Sequence, residues 1–107
     1  MLAKANRVVR PEDFRAAVRR GQRHAIPEAV VYRLAREGEP LRFGFIISRA
    51  VGGAVDRNKL RRRLRAVGRE IVDGGRSGED VVVRALPGSA ELSWDQISSR
   101  MRSELAR

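Results

Sequence analysis

A stretch from Val55 to Asp73, framed by Gly52-Gly53 on one side and Gly74-Gly75 on the other, leaves this chain little conformational choice. At 100° per residue, Leu60, Leu64, Val67 and Ile71 fall within about 60° of one another, so the stretch reads as a long helix with one apolar stripe. The rest of its surface is cationic. Residues Val55–Arg65 (VDRNKLRRRLR) hold six Lys or Arg and a single acid, Asp56. Arg57, Arg61 and Arg65 form a ridge along one flank, while Asn58, Arg62 and Arg69 lie opposite the stripe. Like charges at i, i+4 repel by a few tenths of a kcal/mol per pair, so this surface calls for an anionic partner. A membrane is a poor candidate, because the apolar side lacks Trp and Phe and is needed for the core.

The neighbouring segments supply that core. Pro11–Arg20 predicts a first helix: Pro11 suits its first position, Glu12 and Asp13 complement its positive end, Arg19 and Arg20 close it, and Gly21 stops it. Ala29–Arg36 and Leu41–Arg49 alternate as strands around the turn Glu37-Gly38-Glu39-Pro40, and the short spacing predicts an antiparallel hairpin. Gln22–Ile26 adds an edge strand cut off by Pro27, and Asp80–Leu86 a short apolar strand central in the sheet. Ser93 opens a last helix by a capping box with Gln96, and Trp94, Ile97, Met101 and Leu105 form its expected buried stripe. Residues 1–9 read as a basic extended arm. The order is αβββαβα, an α+β two-layer sandwich in one domain spanning residues 1–107.

Composition narrows the chemistry. The 107 residues carry 23 Lys+Arg against 13 Asp+Glu, a net charge of +10, and only Lys4 and Lys59 are lysines. Arginine binds phosphate at two points and stacks on bases, so nucleic acid is the expected partner. The chain has no cysteine and one histidine, His24, which excludes thiolate sites and paired-His zinc. The acids are scattered, no nucleophile and orienter surround His24, and no catalytic residue is expected in the protein. Phe14, Tyr32, Phe43 and Phe45 are possible stacking platforms, with core packing the expected role for Phe43, Phe45 and Trp94. Gly52-Gly53 before a helix start can approach a phosphate closely, although no Gly-Lys-Ser/Thr follows to make a P-loop. No apolar run is long enough for a membrane span, so a cytoplasmic protein is expected.

The helix motif formed by Arg57, Asn58, Arg61, Arg62 and Arg65 resembles that of the protein subunit of bacterial ribonuclease P. The similarity extends upstream through Ser48, Val51, Gly52, Ala54 and Val55, and to Asn6-Arg7-Val8, Glu12-Asp13-Phe14 and Gly21. Downstream it includes Asp80–Ala85, so nearly the whole chain takes part. Val18 stands where the family often has a second aromatic, and Ala50 replaces a frequent basic residue.

The resemblance implies a left-handed βαβ crossover around the arginine helix. It implies a partner RNA that, with Mg²⁺ held by that RNA, removes the 5′ leader from precursor tRNA, with one protein per RNA. Carried over by position, Arg57, Asn58, Lys59, Arg61, Arg62, Arg65 and Arg69 would contact the RNA subunit. Phe14, Tyr32, Ser48 and Arg49 would contact the leader in a cleft between sheet and first helix. A ribosomal-type RNA-binding protein or RNA chaperone is the alternative that composition leaves open.

Overall fold

A computed structural model describes residues 2–106. These form helices α1 (Pro11–Arg20), α2 (Ala54–Asp73) and α3 (Trp94–Leu105) and strands β1 (Gln22–Ile26), β2 (Ala29–Pro40), β3 (Arg42–Ile46) and β4 (Ser77–Ala85). The helix signals act as expected. Pro11 starts α1, Gly21 N–H caps it on the Ala17 carbonyl, and Ser93 and Gln96 form a complete capping box on α3.

The sheet order β1-β2-β4-β3 overturns the expected β2–β3 hairpin. β1 pairs with β2 and β2 with β4, both antiparallel, while β3 runs parallel to β4. β4 explains the change: Val81, Val82 and Val83 are all buried, so this strand needs neighbours on both edges. The expected turn at Glu37–Pro40 instead lies within β2, where Gly38 at φ 83° marks an irregularity in the strand and not a reversal. A register shift between Ala35 and Pro40 brings Pro40 opposite Ser77, at the start of β4, and β3 begins on the far side.

β3, α2 and β4 therefore make a parallel crossover, and its hand follows from Phe43. The Phe43 carbonyl accepts from Val8 N–H at 2.8 Å, on the edge away from β4. The Phe43 ring points out of the sheet plane, against Gly68 of α2. For an L-residue these two directions place β4 to the left of β3 when α2 is in front. The crossover is left-handed, against the usual rule.

The main core lies between one sheet face (Val31, Phe43, Val81, Val83) and α2 and α3 (Leu60, Leu64, Val67, Ile97, Met101). Arg33 pins the end of α3 to this face, donating to both Glu79 oxygens at 2.9 and 3.0 Å and to the Glu104 carbonyl at 3.0 Å. On the opposite face α1 builds a second, smaller core from Ala17, Val30, Tyr32 and Val82, with Phe14 and Val18 beside it.

Two further expectations are corrected. The N-terminal segment is no free arm: Leu2 is buried in the main core, Asn6 Nδ2 donates to the Leu41 carbonyl at 2.8 Å, and Arg7 bridges to Phe43. Trp94 is 37% exposed and leaves the stripe of Ile97, Met101 and Leu105 one turn short. It is the first residue of α3, and Leu92, just before the cap, packs on the core instead.

Candidate nucleic-acid interface

α2 turns its predicted stripe inward: Leu60, Leu64, Val67, Gly68 and Ile71 are buried. Its outward side carries Val55, Asn58, Lys59, Arg62 and Arg69, all exposed. Arg57, Arg61 and Arg65 are half-buried on the flank that follows from their helical positions. Arg63 has a different use, donating from Nη1 to the Leu92 carbonyl at 2.6 Å and tying α2 to the turn before α3.

Acidic residues are distributed very unevenly around these cations. Asp80 takes Arg42 and Arg36, Asp13 reaches Arg42, Glu79 takes Arg33, Glu28 takes Arg100, and Glu70 lies near Arg102. On α2, Arg69 has Asp73 at 3.6 Å. Among the described residues no acid pairs with Arg57, Lys59, Arg61, Arg62 or Arg65, and Arg57 Nε is buried without a hydrogen-bond partner. Burial, then repulsion from Arg7 and Arg61, holds the Arg65 pKa below the usual arginine range. Such a concentration of unmatched charge raises a positive potential that favours anions.

Beside it, along the outer edge of β3 where the Arg7–Val8 segment bonds, runs a groove of about 290 Å³ lined by Arg7, Val9, Phe14, Phe45, Arg61 and Arg65. Phe43 and Phe45 stack there with centroids 5.9 Å apart, Phe43 buried and Phe45 half-buried. The groove connects the two faces of the sheet.

On the other face, α1 crosses the row Arg23–Tyr32–Val82–Gly44, since Phe14 rests on Gly44 and Gly21 abuts the Arg33 carbonyl. A Cβ at Gly44 would lie 2.6 Å from the Phe14 ring, so glycine is what lets the ring sit on the sheet. The next row, Ala25–Val30–Arg84–Ile46, lies beyond the helix, with Arg84 exposed. Asp13 touches Arg42 on the side of Asp80, while Arg15, about 200° further around the helix, lies on the opposite flank, the side of the Arg84 row, and Arg19 turns beyond it toward solvent.

The structure thus separates the leader candidates. Phe14 is half-buried at the helix–sheet junction, and Ser48 and Arg49 are exposed in the turn after β3. Tyr32, expected as a platform, is only 5% exposed and packs under α1 with Ala17 and Val82. Sequence reasoning missed Arg15, Arg19, Arg23 and Arg84, four exposed arginines on this face without an acid partner among the described residues. Two signals were present: Arg15 and Arg19 stand at i, i+4 without an acid, and Arg84 is the one charge inside Val81–Leu86.

Comparison with known proteins gives a consistent result. The family described as Ribonuclease P matches residues 2–107. The chain is 45% identical to the ribonuclease P protein component of Clavibacter michiganensis, covering 100% of this chain and 96% of that one. Against the protein component of Pseudarthrobacter chlorophenolicus it is 47% identical, over 91% of this chain and 72% of the relative. The RNase P protein of Staphylococcus aureus superposes with a TM-score of 0.78 at 25% identity, covering 96% of this chain and 94% of that one.

Proposed function

The chain belongs to the ribonuclease P protein family, and from that membership we propose that it binds and shapes a catalytic RNA rather than cutting RNA itself. The observation that carries this reading is the unmatched charge of Arg57, Lys59, Arg61, Arg62 and Arg65, spread around the side of α2 that the core leaves uncovered. Five cations without acids repel one another, and a folded RNA's phosphates relieve that repulsion while the RNA loses its own. Asn58 adds a neutral hydrogen-bonding group within the same face, and Arg69, already paired with Asp73, contributes at its margin.

The second surface is the cleft between α1 and the sheet, which receives the single-stranded 5′ leader of precursor tRNA. Phe14 offers the partly open ring for stacking, Arg15, Arg19 and Arg84 follow the backbone, and Ser48 and Arg49 stand at the rim. Tyr32 serves as the floor beneath α1. Holding the leader favours precursor over product, because the mature tRNA lacks the segment that binds there. Mg²⁺ held by the RNA partner supplies the hydrolytic chemistry. Among the described residues no three Asp, Glu or His side chains come together to hold a metal. The assembly contains one protein per RNA and works in the cytoplasm.

Reconstitution tests the proposal. The purified protein is mixed with a bacterial ribonuclease P RNA and a 5′-extended precursor tRNA at an Mg²⁺ concentration where the RNA alone is nearly inactive. Cleavage at the mature 5′ end only with both components is the expected result. Tight, salt-sensitive RNA binding without cleavage would favour a ribosomal or chaperone role instead.

A further inference from the structure

Few side chains hold α1 on the sheet. Ala17 is its one buried residue, and Phe14 and Val18 are half-buried. A helix seated on one alanine and two half-buried side chains has few apolar contacts to resist a roll about its own axis. Roll matters here, because it swings the Arg15–Arg19 flank toward or away from the row of Arg84.

The opposite flank carries a strut. Asp13 Oδ2 lies 3.5 Å from Arg42 Nη1. Arg42 is fixed in turn: its Nε and Nη2 donate to the two oxygens of Asp80 at 2.8 and 2.7 Å. Asp80 is 2% exposed and also accepts from Arg36 at 3.3 Å. Arg42 and Asp80 are register partners on adjacent parallel strands, so their backbones hold the pair as firmly as the sheet itself. Asp13 therefore leans on a post set in the sheet, on the side of α1 away from the cleft.

We propose that Asp13 is a positioning residue that, through Arg42 and Asp80, fixes the roll of α1 and with it the opening offered to the leader. This rests on the cleft reading above. Asp13 touches neither RNA nor the reacting atoms; its effect is exerted through Phe14 and the Arg15–Arg19 flank.

The reconstituted holoenzyme provides the test, with Asp13→Asn, Asp13→Glu and Glu12→Gln compared. Glu12 lies in the same first turn, exposed and no closer than 4.0 Å to Arg10, so Glu12→Gln removes the same helix-end charge without touching the strut. Affinity is measured for precursor tRNA with and without its leader, alongside KM and kcat. Asp13→Asn is expected to reduce the preference for the leader-bearing form about three- to fivefold, in KM and not in kcat at saturation. Asp13→Glu should restore most of that preference, and Glu12→Gln should match the unmodified protein. If Asp13→Asn behaves as Glu12→Gln does, while Phe14→Ala or Arg84→Ala lowers the preference, the strut is refuted and the cleft stands. If none of these variants changes the preference, the cleft reading fails and the strut with it.

Discussion

Removing Arg61 and Arg65 together should change how RNA affinity depends on salt more than it changes the fold. Each phosphate neutralised on RNA contributes about 0.7 to 0.9 to the magnitude of the log–log slope. Five unmatched cations on α2 then give a slope near −3.5 to −4.5, or about a 100- to 500-fold loss of affinity between 50 and 200 mM salt. With Arg61→Ala and Arg65→Ala, three remain. The slope falls to about −2.1 to −2.7, and the same salt step costs only about 20- to 40-fold. Stability should hardly move. Relief of the repulsion among Arg7, Arg61 and Arg65 is worth a few tenths of a kcal/mol per pair. Loss of the two aliphatic stems beside Phe43 and Phe45 acts in the opposite direction by a similar amount.

The assay is equilibrium binding of labelled ribonuclease P RNA across a salt series, with a thermal melt to establish folding. Arg69→Ala is the internal control. Its guanidinium already faces Asp73 at 3.6 Å, so its removal should alter the slope by much less than the change per cation seen in the double variant. An unchanged slope in a folded Arg61→Ala/Arg65→Ala protein would refute the assignment of these residues to phosphate. A slope reduced equally by Arg69→Ala alone would refute the argument from unmatched charge.

Three other outcomes follow from the packing. Gly44→Ala should destabilise by about 1–3 kcal/mol, because its Cβ would meet the Phe14 ring at 2.6 Å and Val8 at 3.0 Å; chemical denaturation measures it. Asp80→Ala strands the guanidiniums of Arg42 and Arg36 and should cost about 3 kcal/mol or more, read from the same denaturation curves. Trp94→Ala should cost under about 1 kcal/mol while Ile97→Ala costs about 2–5 kcal/mol, and comparable melting losses would contradict the outward placement of Trp94.

Helices were the most legible part of this chain, because their signals are local. Pro11, Gly21, Ser93 and Gln96 act within a few residues of themselves, and the α2 stripe reads directly from spacing. Strand pairing was less legible. Nothing in Glu37–Pro40 announces that β2 continues past its expected turn, since the cause is β4, some forty residues away, whose valines need two neighbours. The charge balance of the site was half legible. Counting Arg and Lys along Val55–Arg65 located the face, and the i, i+4 spacing of Arg69 and Asp73 makes their pairing readable too, but only the fold reveals that Arg63 is committed to the Leu92 carbonyl. Arg84 falls on the sheet face that α1 covers through sheet register, which no window of sequence contains.

The two proposed RNA surfaces are joined through two consecutive residues of β3. Phe43 faces α2, where a Cβ on Gly68 would lie 3.1 Å from its ring, and Gly44 faces α1 and the Phe14 ring. The separation of the α2 face from the leader cleft is therefore set by the thickness of one edge strand and two close glycine contacts. Gly68→Ala probes that spacing. Alanine in a helix interior gains about 1 kcal/mol over glycine, so by propensity alone the variant should be stabilised. The sign depends on whether Phe43 can give way. Its ring is 1% exposed and stacked against Phe45, so the ring is held and α2 must lift instead. Overpacking of this kind costs about 1–3 kcal/mol, which outweighs the propensity gain. A lower melting temperature is expected, together with weaker leader discrimination as the two surfaces shift apart. A raised melting temperature would show that Phe43 yields, and that β3 does not hold the two surfaces at a fixed distance.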